Sequence, residues 1–159
     1  MAKTENIRYD FSLFGEMDSY LFREGNHFRL YEKLGAHVVD DGKLPGTYFA
    51  LWAPNAREVS VIGAFNDWDR TRHYLSPRKD NSGIWEGFVP GVGKGALYKY
   101  SLRSRNGSVF EKGDPFAAFW EIAPKTASIV WPCDYAWNDG EWMKNRRAQN
   151  ALNAPMSVY

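Results

Sequence analysis

The sequence predicts an all-β domain, a sandwich of two sheets, with a short helical prelude before it and a helical or extended tail after it. Three observations carry that expectation. From Ala36 onward the apolar residues follow a period of two rather than three or four. Short runs rich in Val, Ile, Tyr, Phe and Trp recur at roughly ten-residue spacing between Gly, Pro and Asn turns. Aromatic residues make up 16% of the 159-residue chain, with 7 Trp, 9 Tyr and 10 Phe, as in a β-rich core where flat rings supply most of the buried area.

MAKTENIRYD reads as a polar lead-in. From Phe11 to Arg23 the residues Phe11, Leu13, Phe14, Met17, Leu21 and Phe22 recur at three- and four-residue steps, and Gly25 stands where a helix would be capped. A second helical piece is expected over Phe28 to Leu34, ending at Gly35. Ala36 to Asp40 is a candidate strand and Asp41-Gly42-Lys43 a turn. Thr47 to Trp52 and Glu58 to Ile62 are strands separated by Ala53-Pro54-Asn55-Ala56. After the loop Ala64 to Trp68, Lys79 to Gly83 is a turn, Ile84 to Val89 a strand, and Pro90 to Gly95 a further turn. Leu97 to Arg103 and Ser108 to Glu111 flank Asn106-Gly107, a type I′ hairpin signal. Lys112 to Pro124 reads as a loop rich in Phe and Trp, and Thr126 to Trp131 as the last strand. Asp139 to Asn150 is polar and helical in pattern, and Met156 to Tyr159 has the composition of a strand that has only begun. The expected units are therefore a prelude over 1–35, a sandwich over 36–133, and over 134–159 a linker helix with the start of a further domain.

Composition narrows the function classes. The formal charge is +1, from 20 basic and 19 acidic residues, so no large field draws the chain to nucleic acid or to an anionic membrane. No window approaches the ~18 apolar residues of a membrane span, and the N-terminus has no apolar leader segment, which suggests a cytoplasmic protein. Cys133 is the single cysteine, so neither an internal disulfide nor a cysteine-based metal site is expected. His27, His37 and His73 fall in helical, strand and loop settings with no nucleophile motif beside them, and no metal or other cofactor is expected. Asp67, Asp69, Glu86 and Asp114 lie on different turns and strands, with nothing to fix two of them across one glycosidic bond. No catalytic residue is therefore assigned.

Binding is better supported. Trp68 follows Asn66 and Asp67 and precedes Asp69 and Arg70, so it sits where the backbone turns and water has access. In Leu97 to Arg103, strand alternation points Tyr98, Tyr100 and Leu102 one way and Lys99, Ser101 and Arg103 the other. The aromatic set is core, so Lys99 faces outward. An exposed indole can stack on the apolar C–H face of a pyranose while Lys and Asn side chains, here Lys99 and Asn66, donate to its hydroxyls. Spacing alone leaves open whether Trp68 and Lys99 are neighbours or a loop Trp and an ordinary surface Lys.

GTYFALWAPNAREVSVIGAFNDWD, GIWEGFVPGVGKGALYKY and DPFAAFWEIAPKTASIVW together resemble the family 48 carbohydrate-binding modules, and LFREGNHFRLYEKLGAH before them resembles the N-terminal region of the 1,4-α-glucan (glycogen) branching enzymes. The resemblance implies an immunoglobulin-like sandwich that binds or positions α-1,4-glucan and docks on a catalytic barrel. It also implies a parent enzyme that cuts an α-1,4 link and transfers the segment to a 6-hydroxyl, with PMSVY resembling the start of that enzyme's catalytic domain. Similarity to the glycogen-binding domain of the AMP-activated kinase β subunit makes Trp68 the loop platform and Lys99 the strand lysine. It matches Thr126 to a nearby threonine and Ser128 to an asparagine of the last strand. The second platform tryptophan of that relative falls in the hairpin Arg105 to Glu111, where the aromatic on offer is Phe110. A module that only braces the catalytic domain is the alternative.

Overall fold

A computed structural model describes residues 6–40, 42 and 44–155. The start of the expected lead-in at residues 1–5, the expected turn at Asp41 and Lys43 and the expected strand start at Met156 to Tyr159 lie outside the described residues. Among the described residues nine strands are formed: β1 (Gly35–Asp40), β2 (Pro45–Trp52), β3 (Ala56–Gly63), β4 (Ser76–Pro77), β5 (Ile84–Pro90), β6 (Leu97–Ser104), β7 (Val109–Lys112), β8 (Phe119–Trp120) and β9 (Ser128–Ile129). Two helices accompany them, α1 (Glu16–Arg23) and α2 (Gly140–Gln149). One antiparallel sheet has the order β1-β2-β5-β4, and the other β3-β6-β9-β8 with β7 also on β6. This is the two-sheet sandwich that the alternation predicts.

Phe49, Leu51, Val59, Val61, Val89, Tyr98, Tyr100 and Val130 fill the space between the sheets. A second apolar cluster lies on the other side of the first sheet, where Tyr48, Ala50, Ile84 and Phe88 meet Phe14, Leu34, Phe11 and Phe22 of the prelude. Strand β2 is therefore buried on both faces from Gly46 to Leu51. That double burial explains why its sequence is a continuous apolar run rather than an alternation.

Polar groups tie the prelude down as well. Arg78 donates to Asp80, Glu86 and Ser12 at 2.9, 2.8 and 3.0 Å, and lies over the Phe14 ring. Ser12 and Tyr48 both donate to Glu86, and Ser19 of α1 donates to Asp80. The outer face of the first sheet is thus occupied.

Several local expectations are corrected. The predicted helix over Phe11 to Arg23 is shorter, since Phe11 to Gly15 runs without helix and lays Phe11 and Phe14 on the sheet; α1 ends at Arg23, and the expected Gly25 follows the Glu24 cap with a φ of 71°. The second helical piece shrinks to one 3-10 turn, Leu30–Glu32. Arg8, placed in the lead-in, exchanges two backbone hydrogen bonds with Phe88 and extends the edge beside β4. Phe119–Trp120, read as loop, is a strand because it finds β9 as partner. The 104–108 hairpin is not type I′, since Gly107 has a positive φ and Asn106 does not; the Asn106 side chain instead accepts from the Ser108 N–H.

Candidate glucan-binding face

The loop after β3 is built around Asn66. Its Oδ1 accepts from the Gly63 N–H at 2.9 Å, and its Nδ2 donates to the Val61 carbonyl at 3.0 Å and to His73 Nδ1 at 2.9 Å. Those bonds close a tight turn that carries Asp67 and Trp68 at φ 57° and 58°. Two successive non-glycine residues in the left-handed region are uncommon, and for a bulky Trp this is a genuine outlier. Trp68 is 39% exposed, and its N–H bonds the Gly63 carbonyl at 2.9 Å. Gly63 allows the turn to lie close, since a Cβ there would come within 2.2 Å of the Leu97 carbonyl and 2.5 Å of the Phe65 ring. Asp69 closes the far side by accepting from the Thr71 hydroxyl and N–H, and these bonds hold its carboxyl below the ordinary carboxylate range.

Register brings Lys99 to this loop. Ile62 is paired with Lys99 and Gly63 with Tyr98, so the residue that anchors Trp68 stands one strand spacing, about 4.8 Å, from the neighbour of Lys99. The Lys99 ammonium donates to the Thr126 hydroxyl at 2.8 Å, which leaves further N–H donors free to turn outward. The Lys99–Thr126 pair thus lies one strand away from the start of the turn that carries Trp68. Trp68, Lys99 and Thr126 line none of three grooves: one of about 610 Å³ beside Phe116 and Trp131, one of about 320 Å³ beside Trp52 and Phe110, and one of about 160 Å³ beside Ser60, Tyr74 and Ser101.

Three sequence candidates do not present themselves beside Lys99. Asn66 is fully buried and its amide is committed to the turn. Ser128 is also fully buried, with its hydroxyl accepting from the Asp114 N–H at 2.8 Å. Phe110 is exposed but pairs with Leu102, on the side of β6 opposite Lys99, and lines the groove with Trp52. The physical reasons are hydrogen-bond direction in the first two cases and strand parity in the third.

The acidic residues have structural partners. Asp114 accepts from the phenols of Tyr98 and Tyr100 at 2.7 and 3.2 Å and from the Phe116 N–H, and burial nevertheless pushes its carboxyl upward. Burial, and then the Asp114 charge, pushes both phenols far above their ordinary value, so they stay protonated donors. Glu86 is held by Arg78. Among the described residues no three His, Cys, Asp or Glu side chains are grouped to hold a metal ion. Likewise, none of their helices is long and apolar enough to cross a membrane.

Comparison with known proteins agrees with this architecture. The 1,4-alpha-glucan branching enzyme GlgB of Synechococcus sp. (strain JA-3-3Ab) is 52% identical over 146 residues, 91% of this chain and 19% of that enzyme. GlgB of Gloeobacter violaceus is 46% identical over 153 residues, 96% of this chain and 21% of its own length. The chain thus spans about a fifth of the length of these curated relatives. Among solved structures, Klebsiella pneumoniae pullulanase complexed with maltotriose aligns with a TM-score of 0.50 at 26% identity, over 62% of this chain and 9% of that one. PulA from Klebsiella oxytoca gives the same score and identity, over 62% and 10%. Residues 33–117 match the model of carbohydrate-binding module 48 (Isoamylase N-terminal domain), and the chain belongs to that family.

Proposed function

We propose that this chain is the non-catalytic glucan-binding module of a glycogen branching enzyme, and that its outer sheet face holds α-1,4-glucan at Trp68, Lys99 and Thr126. In this reading the indole supports the apolar face of one glucose unit while the ammonium donates to its hydroxyls. The observation that carries it is that Trp68 sits in a strained turn fixed by Asn66 and anchored at Gly63, which is one strand spacing from the segment that bears Lys99. An open face of this kind suits a polymer chain better than a small ligand that needs enclosure. The relatives' names supply the parent activity, 1,4-alpha-glucan branching. In this reading the module docks on the catalytic barrel of such an enzyme, and the chemistry itself, cutting α-1,4 links and transferring the segment to form α-1,6 branches, belongs to that barrel.

The affinity should be weak. One stacked ring and a few exposed hydrogen bonds at about 0.5–1.5 kcal/mol each leave little after association costs, so a dissociation constant around millimolar is expected. Glycogen presents many chains, and avidity can restore useful retention. Affinity electrophoresis of the chain through glycogen-containing gels tests this. Retardation that disappears in Trp68→Ala is expected, and equal mobility with and without glycogen would favour a purely bracing role.

A further inference from the structure

The outer face continues beyond Lys99. In register, Leu97 of β6 pairs with Ile129 of β9, and Ile129 pairs with Phe119 of β8, so these three side chains share the Lys99 face. Trp131, two residues beyond Ile129, has the same parity, and its ring lies 5.1 Å from that of Phe119. Phe119 and Trp131 are 49% and 40% exposed. Lys94 Nζ sits 4.2 Å from the Trp131 ring centre, which leaves Phe119 as the open flat surface with an ammonium held nearby. Phe119 stands two strand spacings, about 10 Å, across the sheet from β6.

We infer that the Phe119–Trp131 pair is a second stacking platform, taking glucose units further along the same α-1,4-glucan chain that Trp68 and Lys99 hold. This rests on the glucan reading above and assigns it a length preference. The strip offers what a neutral polysaccharide needs: two flat apolar surfaces separated along one face, each with a lysine beside it to donate to hydroxyls. It also supplies the second aromatic that Phe110, facing the other way, does not. A long glucan reaches both platforms, whereas a short one occupies only the first.

The test compares maltotriose and maltoheptaose by amide-shift titration of the whole 159-residue chain, using Phe119→Leu, which removes the flat ring, and Phe119→Tyr, which keeps it. Phe119→Leu should weaken maltoheptaose about 3- to 10-fold and leave maltotriose unchanged, while Phe119→Tyr stays near the unaltered chain. Unchanged maltoheptaose affinity in Phe119→Leu, in a chain whose binding is abolished by Trp68→Ala, would overturn the second platform and leave the first standing. Equal loss of both sugars in Phe119→Leu would also overturn it, because the effect would not depend on chain length. No binding of either sugar by the unaltered chain would overturn the Trp68 reading and this extension with it.

Discussion

Asn66 spends its side chain on the Gly63 N–H, the Val61 carbonyl and His73, and it thereby offsets the ~1–2 kcal/mol per residue that Asp67 and Trp68 incur in the left-handed region. Asn66→Ala should destabilise the chain by about 2–3 kcal/mol, since buried partners lose their bonds, and should weaken glucan binding through loss of the Trp68 pose. Chemical denaturation alongside glycogen retardation checks both. Gly63→Ala should cost about 1–3 kcal/mol by overpacking against the Leu97 carbonyl and Phe65, read as a lowered denaturation midpoint. At this scale the sequence was partly legible. Trp68 declared itself by its polar turn neighbours and Lys99 by alternation, because both signals are local. Asn66 offers donors and Ser128 matches an asparagine of a similar module, but which way such groups point depends on partners that spacing does not reveal. Phe110 lies in the hairpin where the resemblance places a second aromatic, but its side of β6 is set by the β6-β7 register, which puts it opposite Lys99.

Among the elements, the prelude is the least dispensable addition to the sandwich. Phe14 is 2% exposed and meets Phe22, His27 and the Arg78 guanidinium, with Asp18 bonding His27 beside it. Phe14→Ala should therefore cost about 3–5 kcal/mol. Because the prelude shares a core cluster with β2 and β5, the loss should appear as one cooperative shift of the whole thermal transition. An early separate melting of 6–34 would contradict that. The helical period of this segment was visible in its Leu and Phe spacing, and the Gly25 that follows its cap was too. The helix was overlong in prospect because Phe11 and Phe14 serve the sheet rather than a helix face. Likewise β8, β4 and the Arg8 bridge owe their pairing to residues far away in sequence, which no short window contains.

For the molecule as a whole, the two outer faces differ: one sheet is covered by the prelude, while the other carries Lys99 and Thr126. Stability should respond to acid through the buried polar links. Burial alone would raise Asp80, but hydrogen bonds from Ser82, Arg78 and Ser19 outweigh it and hold the carboxyl well below its ordinary value. Asp18 is likewise lowered, with burial opposed by the Gly15 N–H, His27 and Lys33. Both groups bind protons more weakly folded than unfolded. Their contribution is thus present above the ordinary carboxylate range and is lost as pH falls through it toward the folded values. Asp114 has the opposite sign: its raised value means that its buried charge opposes folding above that value, and protonation relieves this as pH falls. With Asp18, Asp69 and Asp80 lowered against Asp114 raised, denaturation midpoints should drop below about pH 4, and Asp80→Asn should flatten that drop while lowering stability at neutral pH.

The most direct measurement is an amide-shift titration of the isotope-labelled chain with maltoheptaose, run beside Trp68→Ala. Saturable shifts in residues 64–68 and around Lys99 and Thr126, absent in the variant, are the predicted result. An unperturbed spectrum at about 10 mM sugar, well above the expected dissociation constant, would contradict glucan binding and leave the sandwich as a brace.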